Sequence, residues 1–316
     1  MFTGNLTKRS TLYRTRVTQS MAIQLSTLLS QTEESGNLPE AKKILGSAAA
    51  LKVWPTPSSF LGRAKIVGII GGASVLSTLI FLEKLVWWST KNGGESVPFI
   101  VCSDPDTSRK LQLHSSPHSG KDGTHLKDCT IIENLRRKIS LLELSGARCI
   151  VMPCHVSHVW HDEVSKGCSV SFLNVGDSVA REIKEAKHKP LEAGSNVRIG
   201  VLALERILMA GFYQEKLQNQ GFEVVLPDRP TMEHIIIPAV EALKKKDMEG
   251  ARNLLRIAVQ LLLVRAVNVV ILASDEFHGL LPHNDPLLKK CIDPMDALAR
   301  STILWARTND KVHKQT

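Results

Sequence analysis

The sequence predicts an α/β protein built from two similar halves, each with a parallel sheet, facing one another. Three observations predict it. Short runs rich in Val and Ile alternate with helical patterns from about residue 64 onward, the rhythm of βαβ units. A strand carrying Gly68 returns 132 residues later around Gly200. A strand that runs into a sharp turn returns after 120 residues, at Cys154 and Ser274, so two related halves are the economical explanation.

Each element follows from local signals. Residues 65–72, Lys-Ile-Val-Gly-Ile-Ile-Gly-Gly, read as a strand ending in a glycine turn, and a helix follows over 75–90. A second strand covers 98–102 and leads into a polar stretch, 103–127, with His114, His118 and His125. That stretch is too long for an ordinary connection and suits a lid or a disordered insertion. Asp128 can cap a helix running to Ser145, stopped by Gly146, and the strand 147–153 follows. In the second half, strands are expected at 196–203, 221–226 and 268–273, with a helix over 211–217 after the first of them. Asp247 can cap a long helix through Arg265, and 294–306 forms a closing helix.

Composition bounds the function. The chain has 316 residues, 43% hydrophobic and 22% charged, which excludes disorder or a fibrous architecture for most of its length. The apolar runs 66–70 and 261–264 are interrupted within a few residues, so no membrane span is expected. The net charge of +9 is partly a terminal property: residues 1–60 hold seven Lys or Arg against three acids. With 5% aromatics and no recognisable motif, nucleic-acid binding has little support.

The first 32 residues contain no acid, four basic residues and eleven Ser or Thr, the composition of an organelle-targeting leader. Residues 1–60 are therefore read as leader and linker. The six cysteines show no CxxC pair and no framework spacing, as expected of free thiols in a reducing compartment.

Two segments carry chemistry. The loop from Gly68 to Gly72 lacks the GxGxxG spacing of a dinucleotide site, and no acid ends the second strand where a ribose would bind. It suits a small anion such as a carboxylate, with Ser74, Ser77 and Thr78 as hydroxyl donors. The segment 151–158, Val-Met-Pro-Cys-His-Val-Ser-His, puts Cys154 at a strand's carboxyl end, where open α/β sheets place their ligands and where a helix N-terminus favours a thiolate. His155, His158 and His161 could also be metal ligands, but their helical positions do not share one face and zinc-site spacing is absent, so no metal is expected.

Four motifs together carry a resemblance: the strand ending Ile-Ile-Gly-Gly72, the Met-Pro-Cys154 turn, the helix 211–217 (Gly-Phe-Tyr-Gln-Glu-Lys-Leu) and the turn Val-Val-Ile-Leu-Ala-Ser274-Asp-Glu-Phe. In order and spacing the chain resembles the aspartate/glutamate racemase family over about residues 64–306, its plant members most closely. The resemblance implies two pseudo-symmetric, Rossmann-like (flavodoxin-like) domains with the active site in the cleft between them. It divides the chain into a first domain at 61–180, a second at 181–292 and a C-terminal helix at 293–307 packing back on the first.

It also implies inversion of an acidic amino acid by two cysteines on opposite faces of the substrate, without pyridoxal phosphate or another cofactor; a homodimer is a separate expectation that the motifs do not carry. The first cysteine is Cys154. The second falls on Ser274, in a turn that usually reads Gly-Cys-Thr-Glu and here reads Ala273-Ser-Asp-Glu276. A hydroxyl is a far weaker acid than a thiol and needs an activating base, for which Asp275, Glu276 and His278 are candidates. The polar pair that usually follows the first cysteine is replaced by His155 and Val156, and a usual threonine by Ile207. Gly72, Ser74, His155, Val156, Ser157, Asp275 and Glu276 are expected around the substrate. Alternative readings are a single-cysteine decarboxylase or isomerase, and a non-catalytic relative that binds an amino acid or dicarboxylate. The leader is expected to direct the chain to an organelle, the chloroplast before the mitochondrion.

Overall fold

The structure is a computed structural model that describes residues 65–71, 75–104, 124–190 and 194–308. The expected leader and linker, Gly72, Ser74 and residues 105–123 of the polar stretch lie outside the described residues. Within them the first half contains strands β1 (Ile66–Ile70), β2 (Phe99–Cys102), β3 (Ala147–Val151) and β4 (Ser171–Leu173). The second contains β5 (Arg198–Leu202), β6 (Glu223–Val225), β7 (Val269–Leu272) and β8 (Cys291–Ile292). Both sheets have the same order, β2-β1-β3-β4 and β6-β5-β7-β8, and every pairing is parallel. The α/β class and the internal repeat read from the sequence are thus present as two sheets of one topology.

The helices are α1 (Val75–Thr90), α2 (Thr124–Leu144), α3 (His161–Ser165), α4 (Val175–Glu185), α5 (Glu205–Met209) and α6 (Phe212–Gln218). They continue with α7 over 229–244, α8 (Met248–Val264) and α9 (Pro294–Thr308). α1 has the bounds expected from sequence. α8 begins as expected, with the Asp247 side chain accepting from Gly250 N at 2.8 Å. α2, however, starts four residues before the expected cap at Asp128, so that residue lies inside the helix rather than at its end. α7 contains Pro230 and Pro238, which argue against a helix in the sequence. Here Pro230 stands in the first turn, where its missing N–H costs nothing, and a π-wound turn, Met232–Ile236, precedes Pro238.

Register shows how closely the halves correspond. Gly68 pairs with Ile150 and Gly200 with Val270. A Cβ at Gly68 would stand 3.1 Å from Leu142 Cβ on α2, and one at Gly200 would stand 3.5 Å from Leu262 Cβ on α8. Each glycine therefore lets a crossover helix lie tightly on its central strand. Cys154 follows Ile150 by four residues and Ser274 follows Val270 by four, so the two occupy equivalent positions.

The strands alternate their side chains between two faces. Val67 and Ile69 of β1, Cys149 and Val151 of β3, Ile199 and Val201 of β5 and Ile271 of β7 share one continuous core with α1, α4, α6 and α9. The opposite face of the first sheet is covered by α2 and that of the second by α8. The helices that follow the two edge strands cross over reciprocally. α4, after β4, packs on α6, whereas α9, after β8, packs on α1 and also on α4. Polar contacts tie the exchange: Trp88 Nε1 donates to Asp296 at 2.8 Å and Lys84 Nζ lies 2.9 Å from Asp293. Trp88 thus packs inward, while Trp87 is 54% exposed. Among the described residues no helix is long and apolar enough to cross a membrane.

Candidate active site

The candidate site is assembled where the carboxyl ends of the two sheets meet. Ile150, Met152 and Cys154 point to the α2 side of β3, so the thiol is 3% exposed within that helix's core. Ser157 Oγ donates to Cys154 Sγ at 3.0 Å and fixes the sulfur's position. Below it, the Met152 carbonyl accepts from Cys154 N and from His158 Nε2, both at 2.8 Å, and this double acceptance holds the turn. Burial, followed by the neighbouring His161, pushes the His158 pKa well below the ordinary imidazole value, so this ring is a neutral brace.

His155 leaves the same turn in the opposite direction and links the halves. Its Nδ1 is 2.7 Å from the Tyr213 hydroxyl on α6, and its Nε2 is 3.6 Å from Asp275 Oδ1 after β7. The other Asp275 oxygen accepts a hydrogen bond from Ser77 Oγ on α1. Burial lowers the His155 pKa, with Asp275 opposing, and burial raises that of Tyr213. The pair is therefore neutral, and an Nε2–H facing the carboxylate leaves Nδ1 to accept from the tyrosine.

Ser274 is 4% exposed, and its hydroxyl donates to Glu276 Oε2 at 2.5 Å. The other Glu276 oxygen accepts from Arg206 Nη2 at 3.1 Å. Burial would raise the Glu276 pKa, but the hydrogen bonds from Ser274 and Arg206 together bring it below the usual carboxylate value. Of the three bases considered for Ser274, Glu276 is the one in contact. Asp275 is turned to Ser77 and His155, and His278 lies 3.8 Å from Asp293 and 4.0 Å from Glu83.

A cavity of about 320 Å³ adjoins this cluster, lined by His155, Ser274 and Asp275 together with Lys84, Asp293 and Arg300. That is within the range of small-ligand sites. Asp275 Oδ1 is buried without a hydrogen-bond partner, with His155 Nε2 3.6 Å away. Val156 packs against the core rather than offering a polar contact. Ile207 is likewise buried and apolar. His155, His158 and His161 face Tyr213, Met152 and Asp162 respectively, and the described residues contain no group of three or more side chains suited to a metal ion.

Sequence reasoning gave no role to Tyr213 or Arg206. Tyr213 lies inside one of the quoted motifs, but nothing in a linear reading pairs it with a residue 58 positions earlier. Arg206 follows β5 at the position that corresponds to Ser74 after β1, and that equivalence was a usable signal.

Comparison with known proteins bears on the fold and the family. The chain is 23% identical over 244 residues to the broad specificity amino-acid racemase RacX of Bacillus subtilis (strain 168), covering 75% of this chain and 96% of that protein. The fold is shared with an aspartate racemase homologue from Pyrococcus horikoshii OT3, with TM-score 0.62 and 22% identity over 77% of this chain and 99% of the other. The Picrophilus torridus aspartate racemase gives TM-score 0.56 and 23% identity, covering 77% and 94%. Residues 70–302 match the Asp/Glu/Hydantoin racemase family, and the chain belongs to that family.

Proposed function

We propose that the protein is a cofactor-independent racemase or epimerase acting on aspartate, glutamate or a related acidic amino acid, with Cys154 and Ser274 as its proton-transfer groups. The observation that carries this reading is the equivalence of those two positions at the ends of β3 and β7. Inversion at a carbon requires a proton-transfer group on each face of the ligand, and the two equivalent turns supply one candidate each; the cavity itself is lined by His155, Ser274 and Asp275, with Cys154 buried in the α2 core.

The two sides differ in chemistry. With Glu276 ionised, the Ser274 hydroxyl can pass its proton to Glu276 as its oxygen takes the α-proton from the substrate; the Cys154 thiol then gives its proton to the opposite face and becomes a thiolate. The reverse turnover starts from that thiolate and returns the proton from Glu276 through Ser274. Atoms and charge balance in both directions. A carboxylate held below its usual pKa is a weak base, so abstraction on the Ser274 side is expected to limit the rate. Asp275, whose Oδ1 has no hydrogen-bond partner, suits the substrate ammonium, and Ser157 keeps Cys154 in place.

A single-cysteine decarboxylase or isomerase is the second reading, favoured by the engagement of the Ser274 proton with Glu276. Exchange of the α-proton of L- and D-aspartate and L- and D-glutamate in deuterated water separates the two. Exchange from both enantiomers, lost in Cys154→Ala, supports the racemase; exchange from one only supports one-sided chemistry; exchange from neither removes both readings for these substrates. The acid-poor, hydroxyl-rich N-terminus supports import into an organelle, for which the chloroplast is proposed. Exposed Trp87 is compatible with a homodimer, which light scattering of purified protein tests.

A further inference from the structure

One half of the candidate site carries a polar assembly that the other lacks. Ser274 Oγ donates to Glu276 Oε2 at 2.5 Å and Arg206 Nη2 donates to Glu276 Oε1 at 3.1 Å, so the carboxylate is held at both oxygens. The offset of 120 residues that relates Cys154 to Ser274 relates Val156 to Glu276, and the offset of 132 that relates Gly68 to Gly200 relates Ser74 to Arg206. The half that retains a thiol therefore has neither the acid nor the guanidinium, and the half with a hydroxyl has both. Val156 packs against the core and has no polar side-chain atom to offer.

A hydroxyl is a weak nucleophile and a weak base until a neighbouring group stands ready to take its proton. Glu276 can do so only while ionised, because a protonated carboxyl would itself donate to Ser274. Burial favours that protonated form, and the hydrogen bond from Ser274 together with the charge and hydrogen bond of Arg206 reverses the balance. Of the other titratable groups at the turn, Asp275 is directed to Ser77 and His155, and His155 is neutral. Among the described residues, Arg206 is thus the cation in contact with Glu276, reaching it from α5 without lining the cavity.

We propose that Arg206 is a positioning residue of the Ser274 half-reaction, holding Glu276 by one oxygen so that the other faces the Ser274 hydroxyl as a carboxylate. This rests on the reading of Ser274 as a proton-transfer group and deepens it. Arg206 does not touch the reacting atoms; it acts through Glu276, which receives the Ser274 proton as the serine oxygen takes the α-proton of the substrate.

Arg206→Gln tests it by removing the charge while keeping an N–H donor, and Arg206→Lys is the conservative variant that keeps the charge without the planar fork. Arg206 is exposed, so neither change opens the core. Carboxyl carbon NMR of protein carrying labelled glutamate follows Glu276, whose resonance is identified by its loss in Glu276→Gln. The expected result is a Glu276 titration moved up by about one pH unit in Arg206→Gln and by less in Arg206→Lys. The acidic limb of kcat for α-proton exchange should rise by a similar interval, with KM nearly unchanged because Arg206 does not line the cavity. A Glu276 resonance that titrates in folded Arg206→Gln as it does in the parent would overturn the proposal, as would a moved titration without a moved limb. Full proton exchange in Ser274→Ala would instead overturn the proton-transfer reading of that serine, so the two failures are distinguishable.

Discussion

The Nδ1 of His155 lies 2.7 Å from the Tyr213 hydroxyl, and this hydrogen bond joins the turn after β3 to a helix of the other half. Both partners are buried and neutral, so removal of one leaves the other unsatisfied. Tyr213→Phe keeps the ring that packs in the shared core but strips the bond from His155. The expected loss is about 1–3 kcal/mol, read as a lower midpoint in urea or a lower Tm. A variant as stable as the parent would mean that His155 finds another partner at no cost.

The same burial makes stability depend on pH in a defined direction. His155 and His158 have folded-state pKa values below the unfolded value of about 6.5. Above that value both states hold these rings neutral and the contribution is fully present. As pH falls through about 6.5 the unfolded chain takes up protons that the folded chain refuses, so stability declines. Urea unfolding at pH 7.5 and pH 5.5 should show the lower midpoint at pH 5.5. His158→Gln, which can still donate to the Met152 carbonyl, should flatten this slope. The Asp293 carboxyl, held far below its ordinary value chiefly by His278 and Lys84 against the opposing effect of burial, adds stability that disappears only below about pH 4, a separate window.

Ser274→Cys restores a thiol at the position equivalent to Cys154. A thiol ionises near neutral pH far more readily than a hydroxyl, and a matched acid–base group contributes about 100-fold or more to a proton transfer. The expected outcome is faster α-proton exchange and racemisation of the acidic substrate, with Glu276→Gln slowing the parent but having little effect on the cysteine variant. An inert Ser274→Cys protein would point to the apolar Val156 and Ile207, in place of polar groups, as the obstacle.

How much of this was legible in the sequence depends on range. The strands β1, β3, β5 and β7 announce themselves through short runs rich in Val and Ile, as suits a parallel sheet covered on both faces. The equivalence of Cys154 and Ser274 was legible too, since it follows from spacing alone. The edge strands β4 and β8 were not: three and two residues give too short a pattern. Of the helices that follow them, α9 was expected from the resemblance to return to the first half, whereas the reciprocal packing of α4 on α6 is a tertiary fact with no local cue. Within the site, Cys154 and Ser274 could be named from their turns, but the pairing of Ser274 with Glu276 in preference to Asp275 depends on where three consecutive side chains point.

The repeat also sets a stability test that involves no active-site group. α2 and α8 end at equivalent residues, Gly146 and Ala266, both left-handed, with φ of 95° and 60°. Glycine adopts that conformation freely, while an L-residue pays about 1–2 kcal/mol for it. Ala266 is exposed, so its methyl contributes no core packing, and a Cβ at Gly146 would meet only Ile66 Cδ1 at an ordinary 3.6 Å. Backbone conformation alone therefore decides both substitutions. Ala266→Gly relieves the strain but loosens the unfolded chain, which offsets about 0.4–1 kcal/mol, so a net gain of about 0.5 kcal/mol is expected. Gly146→Ala should lose a similar amount, about 0.5 kcal/mol, by the same reasoning. Chemical denaturation of the two variants measures both signs, and a destabilised Ala266→Gly would show that the two helix ends, alike in register, are not alike in energy.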